Sequence, residues 1–187
     1  MESTTASRPD LSGRKIAILA TDGFEQVELT GPRDYLKKAG ASVHILSPEG
    51  DAIQGFNHFD RGECFEADRA LGEVSVADYD ALVLPGGAHN PDQLRTRDDV
   101  RDFVKGFVEA DKPVAAICHA PWVLIDAGVA EGRTLTSYPT LHRDLANAGA
   151  QVVDREVVVD GPIITSRNPD DIPAFCAALA DRLGDGR

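Results

Sequence analysis

The 187-residue chain carries 31 acidic and 19 basic side chains, which gives a formal net charge of −12 at pH 7. This balance argues against a protein that binds nucleic acids or anionic membranes, since both use Lys and Arg to meet phosphate. The length fits one domain, which can bury a sufficient core without disulfide or metal support. No apolar run approaches the ~20 residues that a membrane helix needs.

The N-terminus and the cysteines indicate where the protein works. Residues 1–14 lack the apolar segment of a secretory signal, so we expect a short disordered leader before a single domain at 15–187. The three cysteines, Cys64, Cys118 and Cys176, are an odd number without a CxxC pair. That usage is typical of a reducing compartment and predicts a cytoplasmic protein.

Short β-branched runs alternate with amphipathic stretches in the first half of the chain. The predicted elements are, in order, a strand at 15–20, a helix at 26–38, a strand at 42–47, an irregular segment at 48–78 with a small β-hairpin, and a strand with its turn at 80–87. Strand, helix and strand joined by short links are the signature of a parallel sheet.

The second half continues the same alternation. It predicts a helix at 98–110, a strand at 113–118, a helix at 119–128, a short strand at 134–139, a short helix at 140–148, two strands joined by a turn at Asp160-Gly161, and a last helix at 169–183. The whole pattern predicts one α/β sandwich around a mostly parallel sheet, with helices on both faces.

Cys118 holds the most informative position, because function collects at the carboxyl ends of strands in open α/β sheets. A Cys between a buried strand and a helix predicts a nucleophile elbow, where helix N-terminal amides favour the thiolate and a developing oxyanion. His119 follows it as a candidate base or acid. The alternative is that Cys118 is a small buried hydrophobe, as free Cys often is.

Two other strand ends carry candidate groups. Glu25 is either a solvated loop carboxylate or a partly buried acid that reaches Cys118 and holds the pKa of its thiol down. Gly86 and Gly87 form either a tight turn or a close approach of backbone N–H groups to a substrate oxygen. The histidines match no zinc spacing, so we expect neither a metal nor a cofactor.

Several motifs together resemble the PfpI intracellular-protease family, in the superfamily of the Parkinson-associated deglycase. They are DGFEQVEL at 22–29, PGG at 85–87, AICHAP at 116–121, GRTLTSYP at 132–139 and EVVVDGPIITSRNPDDIPAF at 156–175. The resemblance covers nearly the whole of residues 15–183. It implies a flavodoxin-like three-layer sandwich with the class I glutamine amidotransferase-like fold.

The resemblance also implies roles for single residues. Cys118 matches the family's oxidisable nucleophile, His119 the histidine after it, and Glu25 the glutamate that hydrogen-bonds the cysteine. Asp92 is the counterpart of a carboxylate that a neighbouring subunit supplies to the histidine. Ala120 replaces the Gly of the common Cys-His-Gly-Pro sequence. The family's assemblies imply a homodimer, or a higher oligomer.

Three functions follow as hypotheses. The first is a stress-protective hydrolase or lyase in which the Cys118 thiolate attacks reactive carbonyls or peptides, with the amides near Gly87 and Ala120 holding the oxyanion. The second is a redox sensor in which Cys118 is oxidised with little turnover. The third is a holdase chaperone, which would need an exposed apolar patch.

Overall fold

The computed structural model describes residues 9–184. Its strands are β1 (Lys15–Leu19), β2 (Phe24–Glu25), β3 (Ser42–Ser47), β4 (Ile53–Asn57), β5 (Asp60–Phe65), β6 (Arg69–Ala70), β7 (Ala81–Leu84), β8 (Val114–Ile117), β9 (Thr134–Leu135), β10 (Gln151–Val152), β11 (Val158–Asp160) and β12 (Ile163–Ser166). Its α-helices are α1 (Gln26–Lys38), α2 (His89–Leu94), α3 (Asp98–Glu109), α4 (Pro121–Asp126), α5 (His142–Asn147) and α6 (Ile172–Gly184). Within this part of the chain no helix is long and apolar enough to cross a membrane.

Seven strands form the central sheet in the order β11-β12-β8-β7-β1-β3-β6. Neighbouring strands in this sheet run parallel except β11 and β12, which form an antiparallel hairpin around the predicted Asp160-Gly161 turn. Helices α1 and α6 pack together against one face, and α3 and α4 against the other. The predicted three-layer α/β sandwich is confirmed.

The central strands β1, β7 and β8 are buried on both faces because they are apolar at almost every position. In β1, Ile16 and Ile18 join the core under α1 and α6, while Ala17 and Leu19 join the core under α3. Successive side chains of a strand point to opposite faces, so a continuous apolar run fits a sheet covered on both sides.

The irregular segment at 48–78 contains the predicted hairpin, formed by β4 and β5. β2 pairs in parallel with β4, which makes a separate three-stranded sheet above the carboxyl end of β1. The strand predicted at 134–139 is shorter than expected and ends at Leu135. A 3₁₀ turn begins at Pro139. The intervening residues 136–138 run beside Cys118 instead of extending the strand, and the N–H of Tyr138 donates to the Cys118 carbonyl.

Residues 9–14, which were predicted to belong to a disordered leader, are part of the fold. Residues 1–8 lie outside the described part of the chain, but Leu11 is fully buried in the core, and its N–H donates to the carbonyl of Ala39 at 2.7 Å. The Arg14 guanidinium donates to the carbonyl of Leu183 at 2.8 Å. An apolar side chain at position 11 therefore ties this segment to the ends of α1 and α6.

Candidate active site

Cys118 lies on the sharp turn between β8 and α4. Its φ of 65° places a non-glycine residue in the left-handed region, a conformation that is strained and concentrates at functional sites. The backbone is held on both sides, because its N–H donates to the carbonyl of Ser166 at 3.0 Å and its carbonyl accepts from the N–H of Tyr138 at 2.9 Å. The sharp strand-to-helix turn expected at Cys118 is present, and its role as a nucleophile elbow stays a prediction.

His119 directs its ring at the thiol. Its Nδ1 lies 3.1 Å from Sγ of Cys118, so the two adjacent side chains do meet. The ring stacks on Tyr138 at 4.7 Å between centroids and meets Trp122 edge-on at 5.3 Å. Burial lowers the pKa of His119, which favours the neutral imidazole that can accept a proton from the thiol.

The carboxyl group beside Cys118 is that of Glu28, not Glu25 as the sequence had suggested. Glu28 lies in the first turn of α1 and is fully buried. Its Oε2 accepts from the N–H of Gly86 at 2.8 Å, and the carboxyl interacts with the Cys118 thiol. Its Oε1 has no hydrogen-bond partner among residues 9–184.

Glu25 occupies a different position, at the mouth of the same cavity. Its two oxygens accept from the backbone N–H of His58 at 3.2 and 3.4 Å, at the turn of the β4–β5 hairpin. The His58 ring nitrogen Nδ1 lies 3.8 Å from Oε2 of Glu25. The side chain thus holds the hairpin over the site instead of reaching the sulfur.

Glu28 and Cys118 form a buried pair whose charges compete. Burial raises the pKa of Glu28 to about 8. The charge of Glu25 raises this pKa further, and the hydrogen bond from the Gly86 N–H lowers it. The carboxyl is therefore mostly protonated at neutral pH. Burial also raises the pKa of the Cys118 thiol, and an ionised Glu28 raises it further. The thiolate of Cys118 is therefore least disfavoured when Glu28 is neutral, because a protonated carboxyl can donate a hydrogen bond to the thiolate, whereas a carboxylate repels it.

Two backbone N–H groups favour the thiolate, and they are those of Gly87 and His119. The expected contribution of Ala120 is wrong, since its N–H donates to the carbonyl of Ile117 at 3.0 Å. The N–H of Gly86 is likewise engaged, by Glu28, so Gly86 positions the acid and does not face substrate. Gly87 and His119 therefore remain as the candidate oxyanion donors.

The two glycines after β7 leave room for this arrangement. A Cβ at Gly86 would lie 2.6 Å from Oε2 of Glu28 and 2.7 Å from Cβ of Cys118. Gly87 has a φ of 74°, and a Cβ there would lie 2.5 Å from the carbonyl oxygen of Gly23. Glycine is therefore required at both positions, because a Cβ would clash with these neighbouring atoms and because Gly87 adopts a positive φ.

The site opens into a cavity of about 1020 Å³, bounded by the elbow on one side and the β4–β5 hairpin on the other. Cys118, His119, Glu25 and Glu28 all line it. Asp92 does not line it and is exposed on α2, so its predicted action on the histidine of a neighbouring subunit stays a prediction. Within residues 9–184, no three His, Cys, Asp or Glu side chains are grouped so that they could hold a metal ion.

Comparison with known proteins identifies the family of the chain. Residues 14–182 match the model of the DJ-1/PfpI family, so the chain belongs to that family. It is 46% identical over 174 residues to Protein/nucleic acid deglycase 2 of Escherichia coli, covering 91% of this chain and 98% of that one. It is 43% identical over 166 residues to General stress protein 18 of Bacillus subtilis, covering 87% and 94%. The crystal structure of Drosophila melanogaster DJ-1beta superposes with a TM-score of 0.83 at 32% identity, covering 91% and 90%.

Proposed function

We propose that this protein is a cysteine-dependent hydrolase or lyase that protects the cell from reactive carbonyls, with 2-oxoaldehydes such as methylglyoxal and early glycation adducts as its substrates. One observation carries the proposal: a strained cysteine with a neutral imidazole nitrogen 3.1 Å from its sulfur, at the wall of an open cavity. The deglycase name of the Escherichia coli relative supports the same class of substrate.

The proposed chemistry balances without an outside oxidant. Sγ of Cys118 attacks the aldehyde carbon while the thiol proton passes to Nδ1 of His119, and the oxygen that gains charge accepts from the N–H groups of Gly87 and His119. The proton on that carbon then moves to the neighbouring ketone carbon through an enediol, which leaves a thioester. Water hydrolyses the thioester, so R–CO–CHO and water give R–CHOH–COO⁻ and a proton.

An aldehyde suits this site better than an amide. An amide also requires that its leaving nitrogen be protonated, a step for which a histidine oriented by a carboxylate is the usual device. In this chain the Nε2 of His119 faces the Thr140 hydroxyl at 3.5 Å. Peptide hydrolysis would thus require a homodimer in which Asp92 of the partner subunit lies beside His119. We propose this homodimer together with the carbonyl activity.

A redox sensor is the second candidate, and Glu28 favours it. The Glu28 carboxyl is mostly protonated at neutral pH, and its Oε1 has no hydrogen-bond partner among residues 9–184. Its O–H can therefore donate to an oxygen that oxidation adds to the sulfur of Cys118. Mild peroxide should then add 32 Da to Cys118 alone. Such oxidation without any carbonyl turnover would favour the sensor over the enzyme.

The deciding experiment is turnover of methylglyoxal to lactate by the wild-type protein, Cys118→Ala and Cys64→Ser. Cys64 is the exposed cysteine of the hairpin and serves as the matched control. We expect Cys118→Ala to lose at least ~10³-fold in kcat/KM, because the covalent step disappears. Activity retained in Cys118→Ala, or lost in Cys64→Ser alone, would contradict the proposal.

A further inference from the structure

Arg61 is a fixed guanidinium on the hairpin wall of the cavity. Its Nε donates to Oε1 of Gln54 at 2.7 Å. Gln54 is itself immobilised, because its buried amide nitrogen donates to the carbonyls of Gly55 and Gly62, each at 2.8 Å. With Nε engaged, the two terminal nitrogens of Arg61 remain as a parallel pair of donors.

Arg61 has no salt-bridge partner within the described part of the chain. It takes part in none of the ion pairs formed within residues 9–184, although most other arginines of this acidic chain do. It is also the only Lys or Arg among the described residues that line the cavity. A positive group in this position therefore lacks an anionic partner.

Carboxyl groups make the rest of the cavity unfavourable for anions. Glu28 interacts with the Cys118 thiol, and Glu25, whose charge raises the pKa of Glu28, lines the same cavity together with Asp22 and Asp170. An anionic group is therefore disfavoured beside Cys118 and favoured at Arg61. This polarity would orient a substrate with its carbonyl at the sulfur and a negative tail at the hairpin.

We propose that Arg61, held by Gln54, is a carboxylate-binding subsite, and that the preferred substrates are 2-oxoaldehydes or glycation adducts with a carboxylate tail. The proposal rests on the carbonyl chemistry above. Its geometry is that of the planar guanidinium fork, whose two terminal nitrogens match the two oxygens of a carboxylate. A cavity of about 1020 Å³ is far larger than methylglyoxal and leaves room for such a tail.

The test compares two substrates of equal length. 4,5-Dioxopentanoate carries the carboxylate and would give 2-hydroxyglutarate, whereas 2-oxopentanal lacks the charge. We measure kcat/KM for both with the wild-type protein, Arg61→Gln, Arg61→Lys and the control Arg155→Gln, an exposed arginine outside the cavity. Thermal melting establishes that each variant is folded.

We expect Arg61→Gln to lose about 10- to 100-fold on 4,5-dioxopentanoate, mainly through KM, as one charge-assisted bidentate contact implies. Its kcat/KM on 2-oxopentanal should change no more than about twofold, Arg61→Lys should fall between, and Arg155→Gln should match wild type. An equal loss on both substrates would mean that Arg61 only supports the hairpin. An unchanged preference in Arg61→Gln would also overturn the subsite.

A binding experiment separates failure of the subsite from failure of the enzyme proposal. Pentanoate, which carries one carboxylate, should slow alkylation of Cys118 by iodoacetamide in the wild-type protein and not in Arg61→Gln. If neither aldehyde is turned over but this protection is seen, the subsite stands and the carbonyl activity is refuted. If the aldehydes are turned over and pentanoate protects both proteins equally, the activity stands and the subsite is refuted.

Discussion

Glu25 and Glu28 lie three residues apart on one motif, yet the fold gives them opposite environments. Glu25 is the last residue before α1, in extended conformation, and its side chain reaches out to the hairpin amide of His58. Glu28 is in the first turn, and its side chain points inward to Gly86 and Cys118. One carboxyl anchors a surface element, and the other is buried as an acid against the nucleophile.

The difference comes from helix geometry and not from the residue type. Glu28, Pro32 and Leu36 follow one another at intervals of four, and all three are buried. Residues at i, i+4 and i+8 share one face of a helix, so Glu28 is on the core side. Burial then raises its pKa to about 8 and makes it a hydrogen-bond donor at neutral pH.

The first expected effect is on the reactivity of the Cys118 thiol at alkaline pH. In the wild-type protein, Glu28 ionises near pH 8 and its charge opposes the thiolate of Cys118. Glu28→Gln keeps an acceptor for the Gly86 N–H and places a neutral donor at the sulfur. We expect alkylation of Cys118 by iodoacetamide at pH 9 to be about 10-fold faster in Glu28→Gln than in wild type, the result of roughly one pKa unit.

Glu25→Gln is the matched control for that measurement, because it removes the same charge three residues away. It should leave the alkylation rate of Cys118 within about twofold of wild type at each pH, since the nearer charge of Glu28 remains. If Glu25→Gln reproduced the effect and Glu28→Gln did not, the assignment of the acid would revert to Glu25.

Much of the scaffold was predictable because it depends on local signals. The bounds of α1 and β3 agree with the sequence prediction, as each is an apolar pattern closed by a turn. The elbow at Cys118 also follows from its place between a buried strand and a helix. These features require no knowledge of the distant chain.

The remainder of the site depends on contacts between distant residues. β2 exists only because Phe24 and Glu25 pair with Gly55 and Phe56, some thirty residues on. The N–H of Ala120 is engaged by its own turn, which the motif alone does not reveal. For Glu28, the four-residue spacing with Pro32 and Leu36 was a signal in the sequence that could have identified it as buried.

The next effect is on stability as a function of pH. Glu28 has a pKa of about 8 in the fold, against 4.5 for an unperturbed carboxyl. The folded state therefore binds the proton more tightly, so this stabilisation is complete below pH 4.5 and is lost as pH rises through 8. Between pH 5.5 and pH 8 the free energy of unfolding of the wild-type protein should fall by roughly 3 kcal/mol relative to Glu28→Gln.

Urea unfolding at these two pH values, with Glu25→Gln as control, measures this difference. Glu25→Gln should retain most of the wild-type dependence, because burial is the main cause of the raised pKa of Glu28 and the charge of Glu25 is a smaller one. His119, whose pKa burial lowers, contributes with the opposite sign as pH falls through 6.5, but equally in all three proteins. If the free energy of unfolding changed equally between pH 5.5 and pH 8 in the wild-type protein and in Glu28→Gln, Glu28 would already be ionised in the fold at pH 5.5.

The smallest expected effect belongs to Glu25 and is local. Glu25→Ala removes the acceptor for the His58 N–H but no part of the core. The amide of His58 should exchange with solvent about fivefold faster, the equivalent of about 1 kcal/mol, while the global free energy of unfolding changes by less than that. Hydrogen exchange resolved by residue measures both quantities.

Because the β4–β5 hairpin carries Arg61 as well as His58, a loosened hairpin in Glu25→Ala should also weaken protection of Cys118 by pentanoate, whereas the variant without pentanoate should be alkylated at the wild-type rate. A variant that altered the intrinsic alkylation rate instead would place Glu25 at the nucleophile after all and remove the distinction between the two carboxyls.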